Sequence, residues 1–318
     1  MKDYILDASA ALLRNYADLP FDADTNPDTA RRVNERALVA LERSGEGYAY
    51  LVTADMLADR REELVRNRLL SRDAHESVCG AAYLRMDDLV CVETSGADHL
   101  RIAAYDAEGD VRRCLERCAD LVRGMEDTGV MAYSERFGFL TREPCYTGSG
   151  MLVSMALHLP MSSQIQQAAS ALHISMITGG NLRVQDGGIC LLENRVTLGR
   201  DGDAVLEQMQ ESARRLCALE RSLRWKARER KDLNGADKAW RAYATARYAL
   251  KISREEALKL WSSLVLGKAV TDMPCEEQTL DGLWRIAHMS PGKLKGDGSL
   301  HPDVARAMRI RALFGGGE

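Results

Sequence analysis

The chain has 318 residues, of which 46% are hydrophobic and 28% are charged, and its formal net charge is −4. This balance is typical of a globular protein with room for one or two domains, and the negative net charge argues against a nucleic-acid-binding protein. No apolar run reaches the roughly 20 residues that a membrane-spanning helix needs, and the N-terminus lacks the apolar core of a signal peptide. We therefore expect a cytoplasmic protein with neither a membrane nor a nucleic-acid partner.

The eight cysteines are predicted to be buried thiols in a reducing compartment, because most of them lie inside apolar runs. Cys114 and Cys118 are four residues apart and would share one face of a helix. No histidine and no second cysteine pair lies near them at the spacing of a zinc finger. We therefore expect no metal site.

The N-terminal half of the sequence predicts helices and strands in mixed order. Ile5 and Leu6 open a strand, and the apolar residues from Leu12 to Tyr16 indicate a short turn or helix. Asn26 and Pro27 mark the start of the next helix. The periodicity of apolar residues predicts helices over 28–44, 54–70 and 110–123, and strands over 48–53, 75–84, 89–92 and 100–104.

The last two of these strands form a predicted β-hairpin whose connection ends in a cluster of polar side chains. The sequence there is Asp98-His99-Leu100-Arg101. An acid, an imidazole and a guanidinium at the mouth of a hairpin are consistent with an active site. They are also consistent with a solvated strand end, and the residues alone leave both interpretations open.

A glycine-rich loop, Gly148-Ser149-Gly150, precedes an apolar stretch over 151–159 that is predicted to be a helix stopped by Pro160. Such a loop before a helix can hold a phosphate with backbone N–H groups and the helix N-terminus. Flexible turns use the same residues, so this evidence for a phosphate site is weak.

The C-terminal third is predicted to be helical. Asn234-Gly235 indicates a turn and a domain boundary. Ser253 and Glu256 form a capping box that opens a helix ending near residue 266. Arg306, Arg309 and Arg311 give the last helix a basic side, either a solvated face or an anion site. The pattern predicts a strand over 189–192 and helices over 164–172, 204–230, 236–250, 253–266, 278–288 and from 301.

Three stretches together resemble the ATP:guanido phosphotransferases, and among them the bacterial protein-arginine kinases. Asp98–Ile102 resembles the second half of the family's N-E-E-D-H-x-R-I hairpin. The run from Gly138 to Pro160 resembles its G-Y-L-T…L-H-L-P segment, and Glu193–Gly199 its I-S-N-x-x-T-L-G segment. The resemblance covers nearly the whole chain. It implies an α+β fold, with an antiparallel β-sheet flanked by helices over 1–232, followed by a small α-helical domain over 236–318.

The resemblance also implies that this chain has lost the family's chemical groups. The two catalytic carboxylates would stand at Gly96 and Ala97, so that Asp98, His99 and Glu93 are the nearby polar groups. The family's reactive cysteine falls on Glu143, and another family arginine falls near residues 177–178, where this chain has none. The remaining lost phosphate-binding arginines fall on Ser9, Ala11 and Leu152.

Some groups of a nucleotide site would remain. Arg101 matches an arginine of the family, and Arg68 stands where the family has a histidine that contacts the nucleotide. The other retained positions are Ser154, Gly148 and Gly150. The family's phosphoarginine-binding motif falls on Ala305–Ile310, so that Arg306 and Arg309 are the candidate phosphoarginine-binding residues.

We therefore expect a pseudokinase, because losing a positioned base costs about 10²–10⁴ in rate and losing a phosphate-stabilising arginine about 10³–10⁵. It would be a regulator or adaptor in arginine phosphorylation and Clp protease quality control. Its partners would be an active arginine kinase, Clp protease components or phosphorylated clients, with a homodimer plausible by analogy. One alternative is an active kinase that uses Mg-ATP with Glu93 or Asp98 as a relocated carboxylate. The other is a phosphoarginine-reading interaction module without a cofactor.

Overall fold

The computed structural model describes residues 4–85, 89–162, 180–295 and 300–315. The chain divides into two compact units. Unit 1 comprises Met1–Leu157, Ile174–Leu182 and Leu191–Ala213, and unit 2 comprises His158–His173, Arg183–Cys190 and Arg214–Glu318. The helix predicted over 164–172 and the positions near 177–178 lie outside the described residues. The division of the sequence at 232–236 into two domains stays a prediction.

Strands and helices occur in mixed order along residues 4–229, which include unit 1 and parts of unit 2, as the sequence pattern predicts. The strands are β1 (Ile5–Arg14), β2 (Ala49–Val52), β3 (Ala81–Arg85), β4 (Val90–Thr94), β5 (Leu100–Asp106), β6 (Tyr133–Ser134), β7 (Gly138–Phe139), β8 (Met151–His158), β9 (Gly180–Val184) and β10 (Ile189–Asn194). The helices are α1 (Pro27–Arg43), α2 (Ala58–Arg66), α3 (Val111–Glu126) and α4 (Gly202–Glu229).

Eight of these strands form one sheet, in the order β2-β3-β4-β5-β1-β8-β10-β9. The pairings from β2 across to β8 are antiparallel, and β6 and β7 form a separate small ribbon. The predicted hairpin is confirmed, because Glu93 pairs with Arg101 and Thr94 with Leu100. The α+β fold with an antiparallel sheet flanked by helices is therefore confirmed.

Two predictions about the central strands are wrong. β1 runs without interruption to Arg14, so there is no turn or helix from Leu12 to Arg14. Residues 151–158 form strand β8 and not a helix. Both strands lie in the middle of the sheet and are buried on both faces, so their apolar runs lack the alternation that marks a half-buried strand.

The two faces of the sheet are covered differently. On one face, the thiols of Cys114 and Cys118 in α3 donate to the carbonyls of Ala8 and Ala10 in β1. These two thiols are buried and form no disulfide, as predicted. On the other face, a cluster from residues 56–74 packs against the sheet. That cluster consists of Met56, Leu64, Leu69, Leu70 and Ala74, which lie over Ala82, Leu84 and Cys91.

Unit 2 is mainly helical. Its further helices are α5 (Leu233–Tyr248), α6 (Arg254–Val270), α7 (Glu277–His288), α8 (Pro291–Lys295) and α9 (Pro302–Leu313). Ser253 accepts a hydrogen bond from the backbone N–H of Glu256, which confirms the predicted N-cap of α6. Asn234-Gly235 is not a turn, because α5 begins at Leu233 with Asp232 as its N-cap.

A buried polar cluster lies inside unit 2. The Glu220 carboxylate accepts from Arg224 Nε at 2.8 Å and from the backbone N–H and hydroxyl of Ser162. Arg224 donates to His158 Nδ1 at 3.1 Å, so that the other ring nitrogen of His158 donates to Ser262. Each buried charge therefore has a partner, as a low-dielectric interior requires. None of the described helices is long and apolar enough to cross a membrane.

The conformation of Gly148 generates a test of the fold. Its φ is +119°, and a Cβ atom there would lie 2.4 Å from the carbonyl oxygen of Thr197. We expect Gly148→Ala to lower the free energy of unfolding by about 1–3 kcal/mol, measured by urea denaturation. Gly124→Ala is the control, because its Cβ would meet no atom within 4 Å inside helix α3. It should raise stability by about 0.5–1 kcal/mol. Equal effects of the two substitutions would contradict this account of Gly148.

Candidate active site

Most positions that the resemblance assigns to the active site lie on one face of the sheet. Ser9 in β1 pairs with Tyr105 in β5 and with Ser154 in β8. Ala11 pairs in the same way with Leu152. Alternate residues of a strand point to the same face, and directly paired residues share it. We call this surface the site face. Its members include Ser9, Ala11, Glu93, Arg101, Tyr105, Leu152 and Ser154.

The guanidinium of Arg68 lies on the site face, beside Ser9, where the resemblance places an arginine. Its Nε donates to Ser9 Oγ at 2.8 Å, and its Nη2 donates to a carboxylate oxygen of Asp7. The ring of Tyr105 lies 5.7 Å from the guanidinium carbon, and the Tyr105 hydroxyl donates to the other oxygen of Asp7 at 3.3 Å. Arg68 therefore has a counter-charge within the protein, in the space that the short side chain of Ser9 leaves open.

Arg101 is also bound by groups of the chain itself. Its Nη1 donates to the carbonyl of Leu69 and its Nη2 to the carbonyl of Arg68, both at 2.8 Å. Arg101 Nη1 lies 3.7 Å from Glu93 Oε2, and the side chains are 14% and 4% exposed. Arg68 has a φ of +59°, which is unfavourable for a residue with a side chain. Arg101 holds this backbone conformation through the two carbonyls.

Glu93 fixes the same segment from the other side. Its carboxylate accepts from the backbone N–H of Ser71 at 2.8 Å and from the Ser71 hydroxyl. A Cβ atom at Gly96 would lie 2.9 Å from Glu93 Oε1. Gly96 and Ala97, where the resemblance places the two carboxylates, carry no acid, and the Glu93 carboxylate beside Gly96 is buried and hydrogen-bonded. We call residues 68–71 the latch segment, because Arg68, Arg101 and Glu93 all fasten it to the site face.

Asp98 has a structural place in the hairpin. Its Oδ1 accepts from the side-chain amide of Asn15 at 2.6 Å and from the backbone N–H of Arg142 at 2.8 Å. Burial raises the pKa of Asp98 above its usual range. Asn15 also accepts from the backbone N–H of His99 at 2.8 Å. Sequence reasoning did not single out Asn15, which joins the end of β1 to the hairpin.

His99 is held in one neutral form. Its Nδ1 accepts from the backbone N–H of Tyr16 at 3.0 Å, so the proton is on Nε2, which donates to the carbonyl of Pro20 at 2.7 Å. Burial lowers the pKa of His99 below its usual range. Both ring nitrogens are therefore used to fix the chain that follows β1.

The glycine-rich loop packs against β1 and not over a ligand cavity at a helix end. Gly148 and Phe139 exchange backbone hydrogen bonds at 2.8 and 3.0 Å, and the carbonyl of Gly150 accepts from Leu13. A Cβ atom at Gly150 would lie 2.8 Å from Arg14 Nη1. Because strand β8 follows the loop, there is no helix N-terminus there to bind phosphate, and that interpretation is wrong.

The candidate phosphoarginine-binding residues of unit 2 have separate partners. Arg306 is 3% exposed and donates to the carbonyl of Ile252 at 3.0 Å and to Asp303 Oδ1 at 2.7 Å. Arg309 is exposed and donates to the carbonyls of Lys293 and Leu294 at 3.2 and 3.3 Å. Their role in binding phosphoarginine stays a prediction.

The site face does not suit a magnesium-bound triphosphate. Its cations, Arg68 and Arg101, lie beside the carboxylates of Asp7 and Glu93, so a polyphosphate would meet as much negative as positive charge. Within the described part of the chain, no three His, Cys, Asp or Glu side chains are grouped so that they could hold a metal ion.

Comparisons with known proteins agree with the fold. Residues 31–223 match the family model of the ATP:guanido phosphotransferase C-terminal catalytic domain. The chain is 27% identical to a protein-arginine kinase of Symbiobacterium thermophilum, across 98% of this chain and 93% of the relative. It is 26% identical to a protein-arginine kinase of Pelotomaculum thermopropionicum, across 86% of this chain and 81% of the relative.

A solved structure shows the same fold. The substrate-free duplicated taurocyamine kinase of Schistosoma mansoni superposes with a TM-score of 0.58 at 21% identity. The match covers 68% of this chain and 33% of that longer chain.

The contact between Arg101 and Glu93 generates a second test. Arg101→Ala leaves the buried Glu93 carboxylate without its counter-charge, so we expect the free energy of unfolding to fall by about 3 kcal/mol. Adding Glu93→Ala should recover part of that loss. Arg123→Ala is the control, because Arg123 pairs with Asp120 on an exposed surface and should change stability by less than about 0.5 kcal/mol. A similarly small effect of Arg101→Ala in urea denaturation would contradict the latch.

The neutral His99 predicts a pH dependence of stability. Its folded pKa is lowered, so the unfolded chain binds more protons as the pH falls below about 6.5, and stability declines from about pH 7 to about pH 5. His158 adds to this decline, since burial and Arg224 lower its pKa. We expect His99→Gln to reduce the slope by up to about 1.4 kcal/mol per pH unit. Parallel profiles of the variant and the wild type in urea denaturation would refute the neutral assignment of His99.

Proposed function

Because the chain belongs to the ATP:guanido phosphotransferase family, we propose that it is a protein-arginine-kinase-like pseudokinase that acts by binding other proteins. The observation that supports the proposal is that the arginines of the site face already bind groups of the chain itself. Arg68 and Arg101, the cations left on it, bind Asp7, Glu93 and backbone carbonyls of the chain itself. A phosphate would have to displace these partners.

Phosphorylation of a guanidinium needs a carboxylate that orients and deprotonates it, together with cations that hold the nucleotide phosphates in line. Gly96 and Ala97 supply no carboxylate. Ser9, Ala11 and Leu152 supply no cation, and the pairing of their strands puts these short or apolar side chains together on the site face. The losses therefore fall on one connected region, where they remove base and clamp together.

Binding of ATP without turnover is also disfavoured. Releasing Arg68 from Asp7 would leave a carboxylate on the site face, close to the incoming phosphates. Releasing Arg101 would leave Glu93 buried without a counter-charge and the carbonyls of Arg68 and Leu69 without a donor. Both steps oppose the binding of an anion, so we propose that the protein uses no Mg-ATP.

The alternative of an active kinase depends on a relocated carboxylate. Glu93 holds Ser71 and Arg101, and Asp98 holds Asn15 and Arg142. Both side chains are buried, which limits their access to a protein substrate. These contacts favour the pseudokinase over the relocated active site.

The biological role that we propose is that of a cytoplasmic regulator or adaptor protein in arginine phosphorylation and Clp protease quality control. The partners would be an active arginine kinase, Clp protease components or phosphorylated clients. Support comes from the similarity to protein-arginine kinases along almost the whole chain. The phosphoarginine-reading alternative is weakened by the burial of Arg306 against Asp303, although Arg309 is exposed.

An activity assay tests the proposal. We expect no phosphoarginine above the enzyme-free background when the protein is incubated with Mg-ATP and an unfolded, arginine-rich protein. The measurement is mass spectrometry under conditions that preserve the phosphoramidate. The protein-arginine kinase of Symbiobacterium thermophilum serves as the positive control.

Turnover by this chain would contradict the pseudokinase. Its loss in Glu93→Gln or in Asp98→Asn would then show which carboxylate acts. If phosphoarginine raises the melting temperature of the wild type but not of Arg309→Ala, and no turnover is seen, the phosphoarginine-reading module is favoured over the regulator or adaptor.

A further inference from the structure

The charges of the chain are divided unevenly between its two units. Unit 1 has 21 Lys and Arg against 33 Asp and Glu, a formal charge of −12, whereas unit 2 has 22 against 14, a formal charge of +8. The small net charge of the whole chain hides this division. Opposite charges of this size attract unit 1 of one molecule to unit 2 of another and raise the rate of encounter.

Part of the positive charge lies around an exposed tryptophan. Trp225, in the part of α4 that belongs to unit 2, is 62% exposed. Arg221 precedes it by four residues and Arg228 follows it by three, so all three side chains lie on one side of the helix. We call them the Trp225 face. Arg228 pairs with Asp272, which is 96% exposed, so this ion pair can exchange partners at little cost.

The Trp225 face has the composition of a binding surface. Trp and Arg are the side chains that most often dominate the energy of protein–protein interfaces. Burying the exposed part of an indole removes a large apolar area from water. The tryptophan does not serve the interior of unit 2, since more than half of its surface is exposed.

Unit 1 carries a pocket of complementary chemistry. Its apolar lining comes from Ile5, Val111, Met155 and Ala213, and Glu108 and Asp110 add acidic groups. The Glu108 side chain is 71% exposed, which places it at the rim. The cavity volume is about 250 Å³, which is smaller than that of pockets for drug-sized ligands and suits a single side chain.

We propose that Trp225 of one molecule inserts into this pocket on unit 1 of a second copy of the chain. The indole meets the apolar lining, and Arg228 exchanges Asp272 for the carboxylates of Glu108 and Asp110. The ion pairs add specificity and speed of association, and the buried indole supplies most of the affinity. This contact is independent of whether the protein phosphorylates arginine, so it goes beyond the proposed function.

Sedimentation velocity of the full chain across a range of concentrations tests the proposal. We expect self-association that weakens between about 0.1 M and about 1 M salt, where the Debye length falls from about 10 Å to about 3 Å. Trp225→Ala and Glu108→Arg should each raise the dissociation constant at least about tenfold. Both residues are exposed, so neither substitution should disturb folding.

A mixture of the two variants separates this contact from others. Trp225→Ala keeps an intact pocket and Glu108→Arg keeps an intact tryptophan, so the mixture should associate more tightly than either variant alone. Trp240→Ala and Lys238→Glu are matched controls on the exposed surface of α5 and should associate like the wild type. A monomer at every concentration, wild-type association of Trp225→Ala, or no gain on mixing would each overturn the proposal.

Discussion

The contact between Arg101 and Glu93 is the constraint on which the arrangement of the site face depends. Glu93 is buried and the Arg101 side chain is 14% exposed, so each needs the other and a set of hydrogen bonds to offset the loss of water. Those bonds come from the carbonyls of Arg68 and Leu69 and from Ser71. The pair therefore fixes the latch segment as well as the hairpin that carries it.

The latch connects the fold of unit 1 with its proposed loss of chemistry. Once the segment is fixed, the side chain of Arg68 reaches Ser9 and Asp7 across the sheet. A longer side chain at residue 9 would compete for the same space. The short side chain of Ser9 thus leaves room for Arg68 to pair with Asp7 inside the protein.

Local sequence signals were sufficient for much of the fold. Asn26 and Ser253 cap helices where the sequence predicts, and the hairpin forms between the predicted strands. Strand β8 was predicted as a helix because burial on both faces removes the alternation of its residues. Asn234-Gly235 was predicted as a turn, but Asp232 caps a helix that includes both residues.

The candidate site was only partly predictable. The resemblance located Ser9, Arg68 and Arg101, but the partners of these residues follow from the tertiary structure. Asp7 lies 61 residues from Arg68 in sequence, and Ser71 lies 22 residues from Glu93. No local pattern links such pairs, because their side chains meet only when the sheet and the segment over it have both formed.

Calorimetric titration of the protein with Mg-ATP tests most directly whether Arg68 and Arg101 are bound by groups of the chain itself and so cannot bind a nucleotide. We expect no binding heat at millimolar nucleotide for the wild type. A phosphate would have to displace Asp7 from Arg68, and it would have to displace Glu93 and two backbone carbonyls from Arg101. Saturable micromolar binding that is lost in Arg68→Ala or Arg101→Ala would contradict this account, since it would show that these arginines are available to a nucleotide.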